Sequence, residues 1–422
     1  MTSKAILTNY FKTLTNVASQ GDAREESFYS CLETLLQQFA VSTGRSEVHV
    51  TTLPKKTEAG NPDFRVWNGQ DRIIGYIEAK KPTEENLDYV ETTDQLQRYR
   101  QTFPNLILTN FFEFRLYRDG QLVDRVLAAR PRVLQLGVVP PVEKGDELLN
   151  LLEQFCSFSL PRSYTAEALA VELAKRTRFL RDVVADELRE EQRPELVEGQ
   201  GVLRGFYEAF QTYLIANLTL EDFADLYAQT ITYGLFAART RVPPSKQFNR
   251  RLAFYNIPRT IGILRDVFQF ISLGDLPRQL EWIVDDISGV LAVADAGGIL
   301  DRFYHEGKGS DPIVHFYETF LAQYDPQERE RRGVYYTPEP VVSYIVRSLH
   351  QLLKEKFGRS DGLASEGVTL LDPAAGTMTF VARACQEAVR EFESKYGTGG
   401  REEFIRQHIL SNFYAFELMM AP

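Results

Sequence analysis

Two carboxylates and an amine fall close together between positions 60 and 82. Asp63 follows Pro62, and Glu78-Ala79-Lys80 ends the stretch GNPDFRVWNGQDRIIGYIEAKKP. Side chains on a strand alternate between faces, so Ile74, Tyr76, Glu78 and Lys80 share one face. Asn68-Gly69 suits the positive φ angles of a type I′ turn, which would pair the two apolar runs antiparallel. Asp63 would then lie at the open end, opposite Glu78 and Lys80. Carboxylates at close range repel unless a cation neutralises them, and Mg²⁺ is the natural cation for such oxygen donors. A metal held there orients a water and stabilises charge on a phosphate, with Lys80 assisting the nucleophile or the charged transition state. Taken alone, Glu-x-Lys is a common solvated pair on an edge strand. Asp63 across the turn is what gives it chemical meaning.

A second stretch, VTLLDPAAGTMTFV, runs from an apolar strand (Val368 to Leu371) through small residues into a helix. Small residues let a ligand approach the backbone, and the helix start offers free N–H groups. By itself this is also a generic strand-to-helix turn.

Three groups of elements must position these residues. The first, residues 1–140, is a small α/β domain. Its helix REESFYSCLETLLQQF places Phe28, Leu32, Leu35 and Phe39 on one face, with Glu25 on that face three residues earlier and Glu26 as the alternative. Its strand-like runs are EVHVTTL, DFRVW, RIIGYIEAK, NLILTN and the pair FEFRLYRDGQLVDRVL. GVVPPVEKGDELLN reads as a linker. The second group, residues 145–325, is all-helical. In it Thr165 favours a helix start, and Ala168, Leu169, Leu173, Phe179, Leu180 and Val183 recur at helical spacing. The third, residues 326–422, alternates helix and strand as in a doubly wound α/β domain. Only two strands are present, so this domain reads as cut short.

In this setting Pro62-Asp63 and Glu78-Ala79-Lys80 resemble the PD-(D/E)xK nuclease core. The resemblance implies that Asp63 and Glu78 ligate Mg²⁺, that Glu25 adds to the metal site as the family's helical carboxylate, and that Lys80 assists catalysis. Gln95 and Tyr99 in DQLQRYRQT are similar to the QxxxY element of the restriction and recombination branch. DPAAGTMTF resembles motif I of the γ-type amino-methyltransferases, a Rossmann-like family. It matches at Asp372, Pro373, Ala374, Ala375, Gly376, Thr377, Thr379 and Phe380, and Met378 replaces the usual glycine. GVYYTP resembles their motif X, implying that Tyr336, Thr337 and Pro338 line the methionine end of S-adenosylmethionine. FYAFELMMAP resembles the next motif, implying that Glu417 binds the ribose hydroxyls.

The chain as a whole resembles the N-terminal part of a fused restriction–modification enzyme of the Type IIG or Type ISP kind. This implies phage defence by Mg²⁺-dependent cleavage of double-stranded DNA, joined to the opening of an N6-adenine methyltransferase. No (N/D)PP(Y/F) motif occurs, so methylation is not expected from this chain alone. No GxxxxGK[ST] occurs, so no ATP-driven motor is expected. The alternatives are a non-nucleolytic DNA-binding or assembly module, and a defective fragment requiring a partner chain. A separate specificity or methylase chain is a candidate partner.

Composition sets the outer limits. With 422 residues, 44% hydrophobic and 25% charged, the chain suits two to four globular domains. A net charge of −10 argues against a nucleic-acid coat protein, so DNA contact must use local basic surface or a metal. Lys81 suits a flanking phosphate or solvent. Arg98 and Arg100 suit either DNA or a solvated helix face. Three scattered cysteines, Cys31, Cys156 and Cys385, fit a reducing cytoplasm and not a zinc site. No signal peptide and no membrane-length apolar run is evident.

Overall fold

A computed structural model describes residues 3–53, 60–69, 73–160, 164–192, 201–213, 215–243, 246–256, 278–305, 312–325, 337–376 and 378–417. The chain divides into two compact units, residues 1–297 and 298–422, and has a mixed α/β fold.

In the first unit, α1 (Ser3–Ala18) and α2 (Tyr29–Ser42) precede a six-stranded sheet. Its strands are β1 (His49–Thr52), β2 (Phe64–Trp67), β3 (Ile73–Ala79), β4 (Asn105–Thr109), β5 (Glu113–Arg118) and β6 (Gln121–Leu127), ordered as in the chain. All neighbours are antiparallel except β3 and β4, which run parallel. That parallel pair requires a crossover, supplied by α3 (Leu87–Glu91) and α4 (Asp94–Thr102). Every residue of β3 and β4 is buried, as suits strands in the middle of a sheet.

The two hairpins follow different turn chemistry. Between β5 and β6, Arg118 pairs with Gln121 around Asp119-Gly120, whose φ angles are +48° and +79°. That fits the two-residue type I′ turn. Between β2 and β3, the last pair is Trp67 with Ile73, after a register shift at Val66/Trp67. The loop is therefore longer than the two-residue Asn68-Gly69 turn expected, and only Gly69 of that pair has positive φ, +76°. A two-residue turn there would have set Phe64 opposite Ile73; the longer loop and the shift at Val66/Trp67 set it opposite Ile77, an even displacement that keeps each side chain on its face.

One face of the sheet packs on α1, α2 and α5 (Gly145–Cys156), with Phe11, Leu32, Ile77, Ile107, Leu151 and Phe155 in a shared core. The Pro-rich stretch at 140–141 thus does not end this core, since α5 beyond it supplies Leu148, Leu151, Leu152, Phe155 and Cys156. All three cysteines are free thiols.

The helical part of this unit comprises α6 (Ala166–Glu191), α7 (Val202–Tyr213), α8 (Leu220–Arg239), α9 (Arg250–Asn256) and α10 (Arg278–Val293). The Thr165 hydroxyl caps α6 by accepting the Ala168 N–H at 3.1 Å. Aromatic packing ties this layer to the sheet. Tyr76 of β3 lies 4.3 Å from Phe103 and 5.8 Å from Trp282 between ring centroids, and Phe179 of α6 meets Trp282 at 5.6 Å.

In the second unit, α11 (Ala296–His305), which begins at the boundary, and α12 (Pro312–Tyr324) lead to α13 (Glu339–Lys356). Pro338 stands at the position just before α13 and Pro340 lies in its first turn, where a missing N–H costs nothing. β7 (Leu370–Asp372) leads into α14 (Thr379–Tyr396), and β8 (Phe413–Ala415) pairs with β7 in parallel. Val342, Val346, Leu363, Ala384, Ala388 and Ile409 form the core of this unit. Among the described residues, no helix is long and apolar enough to cross a membrane.

Candidate functional site

The register Phe64 to Ile77 sets Asp63, one residue before β2, opposite Glu78. Both carboxylates are buried, each with 3% exposure. Asp63 Oδ2 accepts the Ala79 N–H at 2.7 Å, and Oδ1 accepts from the Tyr29 hydroxyl in a short hydrogen bond. Lys80 follows the end of β3, and its Nζ lies 2.6 Å from Glu78 Oε1. The other oxygen, Glu78 Oε2, is buried with no hydrogen-bond partner among the described residues.

Glu25 lies in a single 3₁₀ turn (Glu25–Phe28) ahead of α2, not within the helix itself. It is half-buried, and Oε1 sits 3.4 Å from the Tyr29 hydroxyl, whereas Glu26 is exposed. Tyr29 therefore joins Glu25 to Asp63. The sequence alone does not single out Tyr29; its signal is its place at the start of α2, four residues after Glu25.

Gln95 and Tyr99 come from α4, with Gln95 Nε2 donating to the Tyr99 hydroxyl at 2.8 Å. They abut Gly60, three residues before Asp63. A Cβ added at Gly60 would lie 2.2 Å from Gln95 Nε2 and 2.6 Å from the Tyr99 hydroxyl. Glycine is thus required there by close approach as well as by its φ of +64°.

The electrostatics follow from burial beside like charge. Desolvation, and then Asp63, push the Glu78 carboxyl up to about 8. Burial alone would lower the Lys80 ammonium, but Glu78, Asp63 and Glu25 outweigh it and raise the group overall. Burial, and then Asp63, raise the Tyr29 phenol far above its ordinary value, so it stays a hydrogen-bond donor. Among the described residues, no three His, Cys, Asp or Glu side chains are gathered into a metal cage. Mg²⁺ commonly takes only one or two protein carboxylates and fills its shell with water and substrate phosphate. The orphaned Glu78 oxygen beside Asp63 suits that ion.

The second stretch forms its own constellation. Asp372 ends β7, and its Oδ1 accepts the Ala374 N–H at 3.2 Å. Glu417 follows β8, and its Oε2 accepts the Gly376 N–H at 2.7 Å. The backbone bonds Ala375 N to Phe416 O and Phe416 N to Asp372 O, both 2.9 Å, hold the two strand ends together. Pro373 and Ala374 are exposed, whereas Phe380 packs on the core beneath the loop. Thr337 and Pro338 lead into α13; Tyr336 and Thr377 lie outside the described residues. Gly376 has φ +51° with open space where a Cβ would point. Met378 stands at φ +61°, in the left-handed region where glycine carries no penalty. Small residues and acids here crowd the carboxyl ends of two adjacent parallel strands, the usual ligand crevice of α/β sheets.

Residues 308–408 match the N-6 DNA Methylase family. Solved structures similar to the chain include a DrdV–DNA complex, at 20% identity over 98% of this chain and 36% of that one, with a TM-score of 0.38. The ATP-dependent Type ISP restriction–modification enzyme LlaBIII bound to DNA is 18% identical over 65% of this chain and 17% of that one, TM-score 0.41. A nuclease-deletion mutant of the Type ISP enzyme LlaGI, with a DNA substrate mimic, is 19% identical over 66% and 20%, TM-score 0.39. The chain spans at most 36% of the length of these proteins. No curated protein matches it. The methylase segment holds Thr337, Pro338 and Asp372 to Phe380, while Asp63, Glu78 and Lys80 precede it.

Proposed function

We propose that this chain is the front part of a restriction–modification protein, with a Mg²⁺-dependent DNA endonuclease site at Asp63, Glu78 and Lys80. The observation that carries this reading is the buried Glu78 Oε2, unpartnered among the described residues, beside Asp63 and two residues from Lys80. A buried carboxylate oxygen without a partner is costly unless a ligand completes it. Asp63 and Glu78 would hold the ion, with Glu25 reaching it through Tyr29 or a water. Mg²⁺ bound there would supply Lewis-acid activation of water and charge stabilisation at the scissile phosphate. Lys80, kept cationic by its carboxylate neighbours, is suited to stabilising transition-state charge and not to acting as a base. Gln95 and Tyr99 would brace the 60–63 loop. The methylase segment would hold S-adenosylmethionine through the 372–376 loop and Glu417, and that cofactor supplies an activated methyl group when bound.

Asp63→Ala or Lys80→Ala should abolish Mg²⁺-dependent nicking of plasmid DNA. Persistent cleavage by the purified variants would sink the assignment. One observation favours a second reading, a non-nucleolytic DNA-binding or assembly module: Lys80 already pairs with Glu78, and Tyr29 already occupies Asp63. On that reading the parent protein does not nick in Mg²⁺, and the variants match it.

A further inference from the structure

We propose that the basic cleft between α4 and α6 binds the phosphodiester backbone of DNA. The inference rests on the nuclease reading for its use, but not for its detection. The cleft has a volume of roughly 710 Å³ and is walled by α4, α6 and the tip of the β5–β6 hairpin. Arg98 and Arg100 enter from α4, and Lys175, Arg178 and Arg181 from α6. Among the described residues, the acids on its lining are Asp119 and Asp182. Five cations face these two acids, with Lys175 Nζ also held by Glu172 at 2.9 Å, in a chain whose net charge is −10. Such local reversal concentrates a polyanion where the molecule as a whole repels it.

The row on α6 suits a linear polyanion better than a single anion. Its cations recur every third residue, a rise of about 4.5 Å each, so the row extends about 9 Å along the helix. All five side chains are half-buried, so their stems are supported while their heads line the cleft. Arg100 is fixed: Nε and Nη2 donate to Gly120 O at 3.1 and 2.8 Å, and the guanidinium lies over the Tyr117 ring at 4.8 Å. Arg181 pairs with Asp182 at 2.9 Å, but both are about one-third exposed. Such a pair is weak enough to exchange for phosphate.

Position links the cleft to the carboxylates. Its lining residues Gln97 and Arg98 lie on α4 between Gln95 and Tyr99. The Phe179 ring, also in the cleft wall, lies 6.0 Å from the Tyr99 ring. A strand held here would run along the helix that braces the loop of Asp63.

The test is anisotropy of a labelled DNA duplex of arbitrary sequence, in EDTA, across a sodium chloride series. Arg178→Gln with Arg181→Gln should weaken binding at least tenfold. The slope of log K against log salt should fall by about 0.9 for each phosphate no longer neutralised. Arg178→Lys with Arg181→Lys should keep most of the slope. Unchanged affinity and slope in a Gln variant that melts like the parent would overturn the proposal. So would displacement of the duplex by inorganic triphosphate as effectively as by unlabelled DNA at equal phosphate, which would mark a small-anion site. Because EDTA keeps metal out of the assay, failure of the cleavage assignment at Asp63 leaves this readout intact.

Discussion

The Tyr76 hydroxyl donates to Asp286 Oδ1 at 2.6 Å, joining β3 to a helix 210 residues away in sequence. Asp286 Oδ2 accepts from Arg176 Nε at 2.6 Å, and Arg176 also meets Glu172 at 2.6 Å. Tyr76, Arg176 and Asp286 are almost wholly buried, and Tyr76 stands two residues before Glu78. Removing one partner of a buried ion pair strands the other. Asp286→Ala should therefore cost about 3–5 kcal/mol. Urea unfolding checks this, with sheet and helices expected to melt in one transition. An unchanged midpoint would show that the link carries no stability.

On the proposed Mg²⁺ reading, the raised Glu78 carboxyl would make metal binding a proton exchange. Its folded value of about 8 lies above the ordinary 4.5, so the neutral form is favoured by folding. This contribution to stability is therefore full below 4.5 and is lost as pH rises through about 8. Mg²⁺ must displace the proton, so its affinity should rise steadily from about pH 6 to about pH 8.5. Calorimetry in two buffers of different ionisation heat should detect proton release near neutrality. Glu78→Gln should abolish both effects. Mg²⁺ affinity that ignores pH would contradict this picture.

Gly60→Ala tests the brace between α4 and the carboxylate loop. The new methyl would meet Gln95 and Tyr99 well inside van der Waals distance, at a backbone angle that disfavours alanine. Overpacking of this kind costs roughly 1–3 kcal/mol. Nicking should fall at least tenfold, since the 60–63 loop must shift with Asp63. A variant with full nicking would show that the loop tolerates displacement.

Met378 occupies a left-handed position that glycine adopts freely. Met378→Gly should leave stability unchanged or raise it by up to about 1 kcal/mol. Met378→Val should lower it by about 1–2 kcal/mol, because β-branching makes that conformation worse. Thermal melting of the two variants distinguishes them. Equal melting would show that the angle is not a constraint on this loop.

What the sequence discloses follows from the range of each interaction. The faces of Glu78 and Lys80 follow from strand alternation, which is local; the meeting of Asp63 with Glu78 depends on a loop longer than Asn68-Gly69, since a two-residue turn would have put Asp63 opposite Ile74. The Asp119-Gly120 hairpin is also local. The fate of Pro140-Pro141 is not, because whether a helix beyond a proline pair rejoins the core depends on partners in α1 and β3. Arg176 carried a readable sign: Leu169, Leu173, Arg176, Leu180 and Val183 recur at spacings of four, three, four and three. A cation on an apolar stripe needs a buried acid, but nothing local to α6 names Asp286 as that acid. Met378 at the usual glycine position shows in the sequence only as a larger side chain. The structure makes it a question of backbone angle, which one residue letter does not show.

Leu371 on β7, Tyr414 on β8 and Phe416 just beyond it are each 49–62% exposed. Parallel strands are ordinarily covered on both faces. Two short strands with aromatic and aliphatic side chains in water amount to a sticky ribbon, a template for adding another chain's backbone. In practical terms this chain should be a poor colloid: soluble when dilute, and prone to self-association on concentration.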